Sequence, residues 1–374
     1  LGHCSVASYC QALTVLSPFP TRTMGGTYSR SKYDKTAYHE KFFFDLIPGD
    51  AASGKTVAVT GATANGLGIW LAKHAVLLGA KRVVLLNRVS PRNAPALAEV
   101  IAFSKECGST STEILGVECD LLSFASVRNA AKQLNLICKH DGLDVLCLNA
   151  GTMAAPDENT DDGYNREVQV NFLAQHLLLK EVFPSLKKAA ARTGDARVVQ
   201  QSSGARMIPG KKGLVKEFFQ KREQDSQNVS LPSGLRGDQK KGAGMLMLGP
   251  AWKRYGQTKL ANSMSTEMYR EQASRKEIAG VKFVTASPGL AASELQATTS
   301  CEFQSMKPWE ANLVFFLAGQ GVRDGSLPIT QACFGPDVQS GDFYEPSKFT
   351  AYGLPRAIST GGVFKNPKAD AGTI

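Results

Sequence analysis

Tyr255 and Lys259 stand four residues apart in Tyr255-Gly256-Gln257-Thr258-Lys259. On a helix that spacing puts a phenol and an ammonium on one face. A phenol alone, with a pKa of about 10, is a poor acid–base catalyst at neutral pH. A neighbouring ammonium favours the phenolate and lowers that value, so the pair could move a proton. The same spacing also occurs on plain solvated helix faces, and its weight comes from its surroundings. Ser202-Ser203 follows the strand-like Arg197-Val198-Val199-Gln200-Gln201 and sets a hydroxyl at the carboxyl edge of a sheet. Asn149-Ala150-Gly151 ends the preceding strand pattern, and Asn171 lies early in the helix that follows it. Polar groups from separate segments therefore converge on one edge.

The stretch that organises this edge is Lys55 to Ile69. Thr56–Thr60 alternates β-formers and reads as a short buried strand. A turn with Gly61, Gly66 and Gly68 follows, then an apolar helical run to Gly79. Strand, glycine turn and helix in that order make a phosphate cradle. Glycines let the backbone approach a pyrophosphate, and the helix start offers free N–H groups. Such a turn is weak evidence alone, since many only join a strand to a helix.

Further strands read at Arg82–Leu86, Glu113–Cys119, Val145–Asn149, Arg197–Gln201 and Lys282–Ala286. Helical patterns lie between them at Gly68–Leu78, Ala94–Cys107, Phe124–His140, Glu167–Ala191 and Gly256–Lys276. This alternation implies a parallel sheet covered on both faces, with a ligand at the carboxyl ends of the strands.

The chain has 374 residues, 43% of them hydrophobic, enough for one large α/β domain or two small ones. The apolar run Leu313 to Ala318 has the length of a buried helix, and no run is long enough for a transmembrane segment. The net charge is +10. The basic residues are scattered and carry no zinc-finger or RNA-binding signature, so the surplus reads as a surface that helps hold an anionic cofactor rather than nucleic acid. None of the eight cysteines forms a CxxC pair, which argues against a metal cluster and for small buried side chains in a reducing compartment.

Two segments stand apart. Residues 1–54 show no long helical period and end in the aromatic Phe42-Phe43-Phe44. They read as an extension packed on its own domain or as an arm for a protein partner. Residues 206–251 are long, basic and glycine-punctuated, as a lid, a binding loop or a disordered segment would be, and could meet a protein partner. The chain begins at Leu1, as a removed targeting peptide would leave it, so the expected compartment is an organelle (plastid or mitochondrion), with the cytoplasm as the other reading.

Taken together and in order, the motifs resemble the short-chain dehydrogenase/reductase family from about Lys55 to Tyr344. They are Thr60-Gly61…Gly66-Leu67-Gly68, Cys119-Asp120-Leu121, Asn149-Ala150-Gly151, Asn171, Ser203, Tyr255…Lys259 and Ser287-Pro288-Gly289. Tyr255 to Asn262, with Asp162-Gly163-Tyr164…Gln169-Val170-Asn171, is similar to the retinol-dehydrogenase-like branch, and more distantly to protochlorophyllide reductases. The resemblance implies a Rossmann-type doubly wound sheet over residues 55–374. It implies Tyr255 as general acid or base, Lys259 lowering its pKa and holding the nicotinamide ribose, Ser203 orienting a carbonyl, and Asn171 holding a relay water. Asp120 would contact the adenine and Asn149 the adenosine side. Asn65, Leu121, Ala150, Gly151, Pro288, Gly289 and Ser293 would line the cofactor, with no metal.

Two departures are visible. Four residues, Ala62-Thr63-Ala64-Asn65, separate Gly61 from Gly66 where the family has three, which is expected to reshape the pyrophosphate contacts. Ser293 stands where threonine is usual and keeps the hydroxyl. Cofactor choice follows from Leu86-Asn87-Arg88, which lacks the acid that holds the ribose hydroxyls of NAD. Arg88 suits a 2′-phosphate, so NADP(H) is expected. The function implied is carbonyl–alcohol interconversion on a small lipophilic substrate. The other reading is a structural or regulatory subunit of an assembly that keeps the fold as a scaffold.

Overall fold

The computed structural model of the protein describes residues 38–91, 93–222, 234–237, 249–274, 280–293 and 319–359. The chain enters through α1 (Tyr38–Leu46) and then alternates through β1 (Thr56–Thr60), α2 (Leu67–Leu77), β2 (Arg82–Asn87), α3 (Asn93–Glu106), β3 (Glu113–Glu118), α4 (Phe124–Ile137) and β4 (Val145–Leu148). α5 runs on from Arg166–Val168 through a π-helical turn, Gln169–Leu173, into Ala174–Thr193. There follow β5 (Ala196–Gln201), α6 (Pro250–Ser274), β6 (Val281–Ala286), α7 (Val322–Gly325), α8 (Leu327–Phe334), β7 (Asp342–Lys348) and β8 (Tyr352–Ser359).

The strands form one sheet in the order β3-β2-β1-β4-β5-β6-β7-β8. β1 to β7 are parallel, and β8 returns antiparallel along β7. All five residues of β1 are buried, as expected when helices cover both faces. Successive β1 side chains divide between the layers: Val57 and Val59 join Leu71, Val83 and Phe103 on one face, and Ala58 joins Val84, Leu146 and Val198 on the other. The strand order reverses between β1 and β4. The crevice at that reversal lies where the glycine turn and Asn149 end their strands.

Strand positions agree with the sequence reading to within about a residue at each end. The differences lie elsewhere. α6 begins at Pro250 rather than Gly256, because a proline suits the first turn, where its missing N–H costs nothing. Tyr38–Leu46 is helical although residues 1–54 show no helical period. Its inward side is His39 and Phe43, continued by Ile47 just past its end, and all three are buried in the chain's own core. Phe43 is therefore not part of an exposed aromatic patch, and Phe42 and Phe44 are half-buried. β7 and β8 were not legible as strands. Pro346 faces Pro355 across them, which an edge hairpin tolerates and a sequence pattern does not advertise.

Cys107, Cys119, Cys138, Cys147 and Cys333 are buried thiols, as expected for small apolar residues. No described helix is long and apolar enough to cross a membrane. The run Leu313 to Ala318, Cys4, Cys10, Cys301, residues 1–37 and, within 206–251, residues 223–233 and 238–248 lie outside the described residues.

Candidate active site

The carboxyl edge is built first from backbone. Gly61 ends β1 at φ 67°, and a Cβ there would stand 2.8 Å from Ala150 Cα. A Cβ on Gly68 would meet Asn149 Nδ2 at 2.7 Å and Ala62 Cα at 2.9 Å. Only glycine allows β1, α2 and β4 to close this tightly. The extra residue of the turn is taken up locally: Gly66 N–H donates to Thr63 O at 3.0 Å while Asn65 turns at φ 65°. Gly66 caps α2 with no side-chain hydrogen bond, and Leu67 opens the helix, so the first amides of α2 are left for an anion.

Asn149 is a strut of this cradle. Its Nδ2 donates to Thr60 O at 2.9 Å and to Gly61 O at 3.2 Å. Thr60 Oγ1 accepts the Ala150 N–H at 3.0 Å, and Gln175 Nε2 donates to Ala150 O at 2.6 Å. The tight glycine approaches and uncapped helix start fit the pyrophosphate of a dinucleotide. Arg88 is exposed just past β2, and the buried Asn87 beside it donates to Ala62 O at 3.0 Å. Asp120 follows β3, its Oδ1 accepting the Leu122 N–H at 2.9 Å, and Leu121 is buried. Pro288 and Gly289 follow β6. Gly289 has φ 66°, and a Cβ on it would lie 2.3 Å from Ala351 O. Ser293 N–H donates to Ala291 O at 2.8 Å on the same edge.

The catalytic candidates meet at the end of β5. Tyr255 is 5% exposed and shares a side-chain hydrogen bond with Ser203. Lys259, one turn on, donates from Nζ to Gln201 O at 3.0 Å and lies 5.6 Å from the Tyr255 ring centre. A Cβ on Gly151 would stand 3.5 Å from that Nζ, so Gly151 leaves it room. Burial pushes the Lys259 ammonium down to about 8, with the Glu167 carboxylate opposing. Burial also raises the Tyr255 phenol above its ordinary value, and the Ser203 hydrogen bond pulls against that. The sequence reading expected the opposite direction from Lys259. Burial is the largest influence on this phenol, and it raises it.

Asn171 sits in the π turn of α5, a distortion often found at functional sites. Its Oδ1 accepts the Thr152 N–H at 2.7 Å, and its Nδ2 donates to Thr152 O at 2.9 Å and Thr258 Oγ1 at 3.0 Å. The side chain expected to hold a water is thus engaged with protein. Of the serine pair, Ser202 is buried against Lys259 O at 2.9 Å, and Ser203 is the one turned to Tyr255.

Three residues near the site escaped the sequence reading. Glu167 and Arg254 form a buried pair, 3.8 Å apart. Arg206 lies over the Phe343 ring at 4.2 Å, donates to Ser203 O at 3.2 Å and pairs with Glu345 at 2.9 Å. Spacing held a clue to the first two: Glu167 is four residues before Asn171, and Arg254 directly precedes Tyr255.

Residues 55–215 match the sequence model of the family described as short chain dehydrogenase. Over that region the chain is similar to the short-chain dehydrogenase/reductase family. It is 28% identical to an uncharacterized oxidoreductase of Schizosaccharomyces pombe, over 83% of this chain and 80% of that protein. It is 34% identical to a polyprenol dehydrogenase of Mus musculus, over 41% of this chain and 44% of that protein. In fold it is similar to an L-sorbose reductase from Gluconobacter frateurii solved with NADPH and L-sorbose. That likeness has a TM-score of 0.53 at 17% identity, covering 76% of this chain and 92% of the reductase. The matched region and these relatives support an oxidoreductase of the short-chain type.

Proposed function

We propose that the protein is an NADP(H)-dependent oxidoreductase that interconverts a carbonyl and an alcohol on a lipophilic substrate. The observation that carries this reading is the meeting of Tyr255, Ser203 and Lys259 at the end of β5, on the edge that holds the glycine cradle. A bound nicotinamide supplies or takes the hydride. The chain's own residues handle the oxygen and its proton. Ser203 Oγ is placed to orient a carbonyl oxygen toward the Tyr255 phenol. As the phenol, Tyr255 gives its proton to the oxygen in reduction; in oxidation it is the phenolate that takes the proton of the alcohol. Lys259 keeps a positive charge below the phenol up to a pH of about 8.

A lipophilic substrate is favoured by the wall around the phenol, where Met153, Ala154, Ala205 and Trp252 pack with Tyr255, flanked by Ile208 and Leu290. The name of the mouse relative, a polyprenol dehydrogenase, points the same way. NADP(H) is favoured by Arg88 and by the absence of an acid at the end of β2.

The test is NADPH oxidation against aldehydes and ketones of increasing chain length, with wild type and Tyr255→Phe. Loss of the general acid should lower the rate on the order of 10²–10⁴-fold while cofactor affinity holds. A Tyr255→Phe protein as active as wild type would overturn the assignment.

A further inference from the structure

A buried ion pair stands one residue from the catalytic phenol. The side chains of Arg254 and Glu167 are wholly enclosed, with Arg254 Nε 3.8 Å from Glu167 Oε2. Charges in a dry interior are costly unless their polar atoms are used. Here Arg254 Nε and Glu167 Oε2 face each other without a hydrogen bond, and the remaining polar atoms are used largely on backbone. Glu167 Oε1 accepts the Ala155 N–H at 3.2 Å, and the Ala154 amide also hydrogen-bonds to the carboxylate. Arg254 Nη2 donates to Ala155 O at 2.9 Å. Opposite charges thus grip residue 155 by both its N–H and its carbonyl. Ala154 holds φ 49°, a left-handed conformation that a non-glycine residue keeps only when its surroundings enforce it. That corner packs with Trp252 and Tyr255.

The same guanidinium reaches into the long insertion. Its Nη1 donates to Leu235 O at 3.1 Å and to Gly237 O at 2.7 Å. Asp157 completes the network: Oδ2 accepts the Gly237 N–H at 3.0 Å and lies 3.7 Å from Arg254 Nη1, while Oδ1 accepts from Arg222 at 2.9 Å.

We propose that the Glu167–Arg254 pair is a positioning clamp that fixes the 153–155 corner, which packs on Tyr255, and ties insertion residues 234–237 to it. This rests on Tyr255 being the acid. An apolar pair of the same volume would fill the space at less electrostatic cost, but it could not hold carbonyls from two loops together. The groups that set the charge state of Glu167 are Arg254 and Asp157, with Arg222 beyond Asp157. Burial raises Glu167, while Arg254 and the two amides favour the carboxylate and pull it back. Its negative charge in turn supports the protonated forms of Lys259 and Tyr255.

The test uses the full chain with Arg254→Lys and Glu167→Gln. Lysine keeps the charge and loses the fork that spans Ala155, Leu235 and Gly237. Glutamine keeps the acceptor for the Ala155 N–H and loses the charge. For Arg254→Lys, amide exchange at Ala155 and Gly237 should quicken about 10-fold, and KM for the carbonyl should rise about 10-fold, as expected for losing one or two buried hydrogen bonds. Changes in kcat should stay within about 3-fold, and NADPH affinity should hold, because the clamp does not touch the reacting atoms. For Glu167→Gln, the basic limb of kcat/KM for reduction should move to lower pH as Lys259 loses its support. Unchanged exchange at Gly237, or a KM rise matched by lost NADPH affinity, would overturn the clamp. If Arg254→Lys does not fold, the isosteric Glu167→Gln carries the test through its pH limb and the Ala155 exchange. If the wild type reduces no carbonyl, the functional reading fails while the exchange measurements still decide the clamp.

Discussion

The two halves of the carboxyl edge are made of different material. From β1 to β4 the edge is backbone held close by absent side chains: Gly61 on Ala150, Gly68 on Asn149, and the bare start of α2. From β5 to β7, apart from the close approach of Gly289 to Ala351, it is long side chains reaching to remote backbone. Arg254 holds Leu235 and Gly237, and Gln257, one turn along α6, accepts the Val215 N–H at 2.8 Å and donates to Gly213 O at 3.0 Å. A backbone cradle recognises what every dinucleotide shares. A wall of side chains gripping loops can be rebuilt for each substrate without disturbing the cradle.

The difference breaks most sharply at Gly68. Alanine there places a Cβ within 2.9 Å of Ala62 Cα and Gly61 O, both backbone atoms that cannot swing away. Overpacking of this kind costs about 1–3 kcal/mol, which in binding reaches roughly 100-fold. Gly68→Ala should therefore lower NADPH affinity by up to about that factor, read by quenching of tryptophan fluorescence. Arg254→Lys should leave the same affinity alone. Equal losses in the two variants would show that the halves are not separable.

That contrast also explains what the sequence made legible. Glycine spacing, Asn149-Ala150-Gly151 and Tyr255…Lys259 are local patterns, and they located the cradle, the phenol and the strands that carry them. The Glu167–Arg254 pair joins residues 87 apart, and Arg206–Glu345 joins residues 139 apart, so no window of sequence contains either. α1 escaped because a histidine, His39, occupies one of its buried positions, where a periodic pattern expects an aliphatic residue. The direction of the Tyr255 shift escaped because burial is a property of the fold, not of the Tyr-x-x-x-Lys spacing.

The second prediction concerns what stands behind the cradle. His39 Nε2 of α1 lies 2.6 Å from His74 Nε2 of α2, and His74 Nδ1 lies 2.9 Å from Thr330 Oγ1 of α8. Burial lowers both imidazoles, His74 to about 3, with Lys73 and Arg323 adding to the effect on His74, and His74 and Arg323 to that on His39. Unfolded histidine has a pKa of about 6.5, so below that pH the unfolded chain binds more protons than the native one. Stability is full above that value and falls as pH drops through it, by at most about 1.4 kcal/mol per pH unit for each histidine. The urea midpoint should be lower at pH 5.5 than at pH 7.5, and His39→Phe should flatten that dependence. A variant with the wild-type slope would remove this histidine from the account.

The smallest expected effect tests the one part of the cofactor half that depends on an exposed side chain. Arg88 follows β2 on the cradle's rim, and Asn87 stands where an acid would favour NADH. If Arg88 meets the 2′-phosphate, the contact is a charge-assisted fork, but its exposure to water and salt keeps it near 1 kcal/mol, about fivefold in affinity. Arg88→Ala should weaken NADPH by about that factor and leave NADH within about twofold, because NADH has no phosphate for the arginine to lose. Raising the salt concentration should shrink the wild-type preference in the same direction, since exposed charge pairs are screened over about 10 Å at 0.1 M salt. A wild type that binds NADH more tightly than NADPH would reverse the cofactor assignment. It would leave the cradle untouched, because Gly61, Gly68 and the start of α2 are blind to the 2′ position.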